Sequence, residues 1–180
     1  MRDVEKMAYV GILSLIFLVP QMTLMVWKMI TDFTGTILVV YHIINVLGFI
    51  TGTYFMWGFK ILSKKTDNQL LSVSVISIII FSLLTLLLDM FSLYVPESIT
   101  AVKSIAILVM GGVLSIFLGI GLLKLNKELG VLATTTGVLN IISGACYITI
   151  IFSFVSVVII FPLGILDIIL LFKASDKLKI

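Results

Sequence analysis

The sequence is poor in the residues that build soluble chemistry. Among 180 residues there is one cysteine and one histidine, and only 12% are charged. The lone Cys146 forms no internal disulfide, and it excludes a cysteine metal cluster within one chain. The lone His42 excludes a multi-histidine site. Basic residues exceed acidic ones by 3, yet they are scattered between apolar runs rather than gathered into a patch. That distribution argues against a nucleic-acid partner. No loop is long enough to fold into a soluble domain, so no cofactor is expected. No small-x-small cleavage site follows a short apolar region near the N-terminus, so no cleavable leader is expected.

What is abundant is apolar. The set AVILMFWYC makes up 61% of the chain, against roughly 45–50% in soluble domains. A soluble fold of this size has too little interior to bury that much apolar surface. The composition therefore indicates an integral membrane protein.

A helix needs about 20 mostly apolar residues to cross a bilayer. Five apolar runs are present, and the last, 130–172, covers 43 residues. As one helix it would extend about 65 Å, roughly twice the hydrocarbon thickness. It must fold back, with a turn expected between Tyr147 and Ser153. The expectation is a single all-α transmembrane domain over 1–180. It is a bundle of six transmembrane helices at 7–30, 37–62, 70–95, 99–123, 130–149 and 152–172.

The charges test this count independently. With both termini in the cytoplasm, ten of the twelve basic residues fall inside and only Lys28 and Lys103 outside, as the positive-inside rule asks. A five-span arrangement would move Lys173, Lys177 and Lys179 outside and weaken the bias. The expected location is the cell membrane. Tyr9 and Trp57 fall near inner ends, and Trp27, Tyr41, Tyr94 and Tyr147 near outer ends, as in interfacial aromatic belts.

Helices associate in lipid through close approach of small residues. Gly111, Ser115 and Gly119 form a small-residue stripe on span four, with Gly112 and Gly121 beside them. Gly48 and Gly52 do the same on span two, and Gly137, Asn140 and Gly144 fall near one face of span five. These faces suit a bundle centre or a dimer seam, so a homo-oligomer or a membrane partner subunit is open. Pro20 and Pro162 are expected to bend spans one and six. Ile44, Val46, Gly48, Gly58, Leu62 and Lys64 recur 63 residues later as Ile107, Val109, Gly111, Gly121, Leu125 and Lys127. Three parallel helical-hairpin repeats would account for this, as would the shared orientation of the spans.

Polar groups inside spans are costly and mark functional candidates. At about 1.5 Å per residue, His42, Asn45, Asp89 and Gln21 fall roughly 22–30 Å above the cytoplasmic end of their spans. They form one outer layer. His42 and Asn45 share a helix face, and a His42–Asp89 pair is the sharpest candidate for binding a cation or a proton. Asp167 lies low, roughly 9 Å above Lys173. It either reaches the interface beside a lysine or lines an inner gate.

Catalytic signals are weak, and no enzyme is expected. Asp89 and Asp167 differ in depth by about 20 Å, too far for an aspartyl dyad. Ser143-Gly-Ala lacks the glycine two residues earlier that a nucleophile elbow carries. No metal-ligand spacing or phosphate-cradling loop is present.

The phrases Gly58-Phe-Lys-Ile-Leu-Ser-Lys, Gly121-Leu-Leu-Lys-Leu-Asn-Lys and Pro162-Leu-Gly-Ile-Leu-Asp-Ile-Ile-Leu-Leu-Phe-Lys resemble segments of small multi-span archaeal and bacterial membrane families of unassigned function. That resemblance transfers no site. Size and span count are similar to the substrate-binding subunits of energy-coupling-factor vitamin transporters. Their Ala-x-x-x-Ala motif in span one is absent here, where Ala8 stands alone. The functional expectation is a transporter, or a transporter's binding subunit, for a small solute or ion. The alternative is a membrane-embedded accessory or assembly protein that binds no substrate.

Overall fold

A computed structural model describes residues 3–31, 33–91, 97–149 and 153–179. Its elements are α1 (Asp3–Ile30), α2 (Gly35–Lys65), α3 (Gln69–Met90), α4 (Glu97–Leu123), α5 (Asn126–Leu129), α6 (Val131–Ile148) and α7 (Ser153–Leu178). All but α5 are long and apolar enough to cross a membrane. The architecture is that of a polytopic, all-helical membrane protein. Continuous helix is the expected solution, because the bilayer core offers no water to satisfy backbone groups.

The helices follow the expected spans to within a few residues, with one systematic difference. α2 runs on to Lys65 and α7 to Leu178. In each, lysines occupy the overrun beyond the apolar segment. Cations stabilise a helix C-terminus through its dipole, so the helix continues into the aqueous phase. α6 ends at Ile148, and α7 begins at Ser153. Residues 150–152 of the expected turn lie outside the described residues, as do residues 92–95 of the expected third span. The four-residue α5 has no counterpart in the hydropathy pattern. Gly130 separates it from α6 with φ 70° and ψ −149°, a conformation almost confined to glycine.

Six crossings bring the N- and C-terminal ends to one side, here the terminal face, together with the α2–α3 turn and α5. The opposite side is the far face. The spanning helices form a circuit in chain order: α1 packs on α2, α2 on α3, α3 on α4, α4 on α6, α6 on α7, and α7 returns to α1.

The tightest seam is α4 with α6, and its cause is reciprocal glycine contact. A β-carbon on Gly112 would stand 2.6 Å from the Gly144 carbonyl oxygen, and one on Gly144 would stand 2.5 Å from that of Gly112. Gly119 and Gly137 repeat the arrangement at 2.5 and 2.8 Å. Between the two pairs, the Ser115 hydroxyl donates to the Asn140 backbone carbonyl at 2.9 Å. The small-residue stripe thus serves packing within the chain. Its register corrects the expected one: Gly112, not Gly111, lies on the seam. Gly111 faces α3, with Phe81 3.6 Å from its would-be β-carbon.

On α2, Gly48 accommodates the Gln21 side chain of α1, and Gly52 leaves room for Ser14, whose hydroxyl would be 3.8 Å from a β-carbon. Gly48 and Gly111, matched by the 63-residue offset, each face the preceding helix. The correspondence is not complete. Gly58 packs against Leu171 and Met7, whereas Gly121 packs against Leu71.

The buried apolar core lies in the half of the bundle next to the terminal face. Ala8, Phe59, Leu71, Leu122, Leu129 and Leu171 are among its members, each fully buried. Asn68 ties this end together. It caps α3 by accepting from the Leu71 backbone N–H at 3.1 Å, and its amide donates to the Gly121 carbonyl at 2.8 Å. Large apolar side chains such as Ile16, Leu84 and Val102 are exposed along the outside of the helices, where a bilayer is their natural solvent.

Candidate functional sites

Besides the Ser115–Asn140 contact of the α4–α6 seam, the described residues form a polar group at the far face and another at membrane depth. The far-face group is assembled from α1, α2 and α3. The Lys28 ammonium, at the end of α1, lies 3.0 Å from Asp89 Oδ1, near the end of α3. The same ammonium sits 4.3 Å from the centroid of the Tyr41 ring. The Tyr41 hydroxyl faces the Asp89 carboxylate and the Asn45 side chain. Phe33 and His42 meet Tyr41 edge-on at 5.7 and 5.3 Å, and Trp27 meets Phe33 at 5.5 Å.

This arrangement revises the expected outer layer. Asn45 and Asp89 do converge, but around Tyr41 and Lys28. The cationic partner of Asp89 is the α1 lysine, where His42 was expected. Lys28 and Tyr41 read as topology and belt residues in the sequence, because neither type at a helix end is distinguishable from an interfacial anchor. His42 is adjacent to the group, and its buried Nδ1 has no hydrogen-bond partner. Both members of the ion pair are 26% exposed. An exposed pair is worth little, and partial burial with a cation–π contact adds modestly. The group holds three helices together at an end that carries little buried core.

Gln21 departs from that layer. It lines a cavity of about 190 Å³ between α1, α2 and α7, together with Ser14, Phe55 and Asp167. Small residues on the facing helices set the position of its walls. Gly11 admits the Phe55 ring, which would stand 2.5 Å from a β-carbon there, and Gly164 admits Leu15. Asp167 is 9% exposed, and its buried Oδ1 has no hydrogen-bond partner. Of the two placements open from sequence, the structure gives the interior one. Among the described residues, no lysine, arginine or histidine lines the cavity. No three His, Cys, Asp or Glu side chains among them converge as a metal site.

The sequence indicated the depth of Asp167 but not its direction. The segment Ile165–Leu171 is apolar on every side except at the aspartate, so no polar stripe marks which face turns inward. Ser14 and Phe55 carried no signal of their own. Comparison with family models, curated proteins and solved structures finds no match to this chain.

Proposed function

We propose that this protein is a membrane transporter, or the binding subunit of one, whose site for a small solute or ion is the Asp167 cavity. The single observation that carries the reading is the Asp167 carboxyl. It is buried at membrane depth, without a hydrogen bond at Oδ1, in a cavity that also presents Ser14 and Gln21. A polar group left unsatisfied in an apolar surround is costly, and a protein that only packs gains nothing by keeping one. The far-face cluster of Lys28, Tyr41 and Asp89 joins α1, α2 and α3 above the cavity and suits a closure.

The accessory alternative rests on the glycine stripe and on the scarcity of charge within the spans, and of these the stripe is occupied within the chain by the α4–α6 seam. The orientation completing the proposal has the terminal face in the cytoplasm of a cell-membrane protein. Ten of the twelve basic residues support it.

The test is thermal unfolding of the detergent-purified chain against a panel of ions and metabolites from pH 5 to 8. A ligand at about 100 times its dissociation constant stabilises the folded state by about 2.7 kcal/mol. The expected result is a stabilising solute whose effect is lost in Asp167→Asn and kept in Asp89→Asn. A flat panel, or a hit indifferent to Asp167, overturns the assignment.

A further inference from the structure

The walls of the cavity define the kind of ligand that fits it. Only three of its eleven lining residues, Ser14, Gln21 and Asp167, carry polar side chains. Helix pairing sets their levels. Gly11 of α1 lies against Phe55 and Ile168, and Gly164 lies against Leu15. Asp167, one residue from Ile168, is therefore near the level of Gly11 and of the Phe55 ring. Ser14 stands one turn further along α1. Gln21 is seven residues beyond Ser14, about 10 Å along the axis. The lining thus runs from a carboxyl and aromatic end through an apolar middle to an amide end.

Each candidate ligand class meets this shape differently. An anion would find no basic side chain in the lining to offset its charge. A hard metal ion asks for about six oxygen ligands, and that end offers only the Asp167 carboxyl and the Ser14 hydroxyl. A polar solute such as a sugar would leave most of its hydroxyls against leucine and isoleucine. An ammonium group differs in requiring one anion, a few acceptors and an apolar or aromatic surround. A cation over the face of a phenylalanine ring is attracted by the ring quadrupole. The volume, about 190 Å³, exceeds the roughly 150 Å³ that accepts benzene in an apolar protein cavity.

We propose that the Asp167 cavity binds a small protonated amine with an apolar body of about benzene size. Its ammonium pairs with Asp167 and Ser14 beside the Phe55 ring, and its body lies along Leu15, Leu18 and Leu163 toward Gln21. This ligand class rests on the functional reading above, in which the cavity is the binding site.

The test uses the full chain in detergent with benzylammonium chloride as probe. Sodium, potassium and magnesium chlorides at matched ionic strength, benzyl alcohol and benzoate are the comparisons. Benzylammonium is expected to raise the unfolding temperature saturably, and the other compounds are not. Asp167→Asn is expected to lower the affinity at least about tenfold, the usual scale for losing a hydrogen bond to a charged group. Phe55→Leu keeps the apolar wall and is expected to weaken benzylammonium binding through loss of the ring face, and an unchanged affinity overturns the placement of the ammonium beside Phe55. Should Asp167→Asn fail to fold, the Phe55→Leu comparison still decides.

Equal stabilisation by benzyl alcohol overturns the charge pairing. An Asp167-dependent response to a metal ion alone overturns the amine class and leaves the cavity as the site. No response to any cation overturns the amine class, and the solute panel then decides the site by itself. Uptake of labelled benzylamine into proteoliposomes separates the two readings. Binding without uptake supports the ligand class and overturns the self-contained transporter in favour of the binding subunit.

Discussion

At the scale of single residues, the positions that matter most are polar side chains whose partners lie on another helix. Asn68 is the clearest. One amide oxygen caps α3 through Leu71 N–H, and the amide nitrogen holds the Gly121 carbonyl of α4. The residue is buried, so its removal leaves the Leu71 N–H and the Gly121 carbonyl without their partner. Loss of an N-cap costs about 0.5–2 kcal/mol, and an unsatisfied buried group costs about 1–3 kcal/mol more. Asn68→Ala is expected to destabilise the protein by about 2–4 kcal/mol in reversible detergent unfolding. Asn68→Asp keeps the cap but sets a carboxylate oxygen against the Gly121 carbonyl, so it is expected to be less stable than the parent. Equal stabilities for Asn68→Ala and the parent would show that the α3–α4 tie contributes nothing. The contrast with Asp167 is instructive. Asn68 is satisfied at both ends and reads as structure, whereas Asp167 Oδ1 is left without a partner and reads as a site.

At the scale of elements, the packing of α4 on α6 is set by four glycines and one serine. The prediction is sharpest as a pair of substitutions on one helix. Gly119→Ala places a methyl group 2.5 Å from the Gly137 carbonyl oxygen, which backbone cannot yield without separating the helices. Overpacking of this kind costs about 1–3 kcal/mol. Gly111→Ala meets Phe81 at 3.6 Å, an ordinary contact. It also removes a helix-interior glycine, which is worth about 0.5–1 kcal/mol in the stabilising direction. Gly119→Ala is expected to lower the unfolding midpoint and Gly111→Ala to leave it unchanged or raise it; a reversed order would show that the seam lies elsewhere. The pair also marks how far sequence reading reached. Spacing of four selected Gly111, Ser115 and Gly119, and two of those three lie on the seam. An α-helix repeats at 3.6 residues, so over two turns spacings of three and four are both allowed. Only the facing glycines of α6 decide between Gly111 and Gly112. Span number and limits were legible because hydropathy over about 20 residues is a property of one helix. The Lys28–Asp89 pair and the Asp167 cavity were not, because each depends on which faces of separate helices meet.

At the scale of the whole molecule, the buried core and the charge asymmetry coincide at one end. The fully buried apolar residues cluster toward the terminal face, where nine of the eleven described basic residues also lie. The two exceptions have a structural account. Lys28 is neutralised by Asp89, and the Lys103 ammonium donates to the Leu88 carbonyl at 3.2 Å. Both converge on the C-terminal end of α3, which has no basic residue of its own in its last turn. That end carries the negative pole of the helix dipole. The far-face lysines therefore serve α3, and the proposed orientation rests on the count of lysines and arginines at the two faces. Reporters fused after Lys179 and inserted at Asp67 are both expected to read cytoplasmic, and one placed between α1 and α2 is expected to read external. Replacing Lys28 and Lys103 together by glutamine is expected to leave all three readings unchanged, although the α3 end loses its cations. An external C-terminus in the parent would reverse the assignment of faces. A change of orientation in the double variant would show that the far-face lysines steer insertion after all.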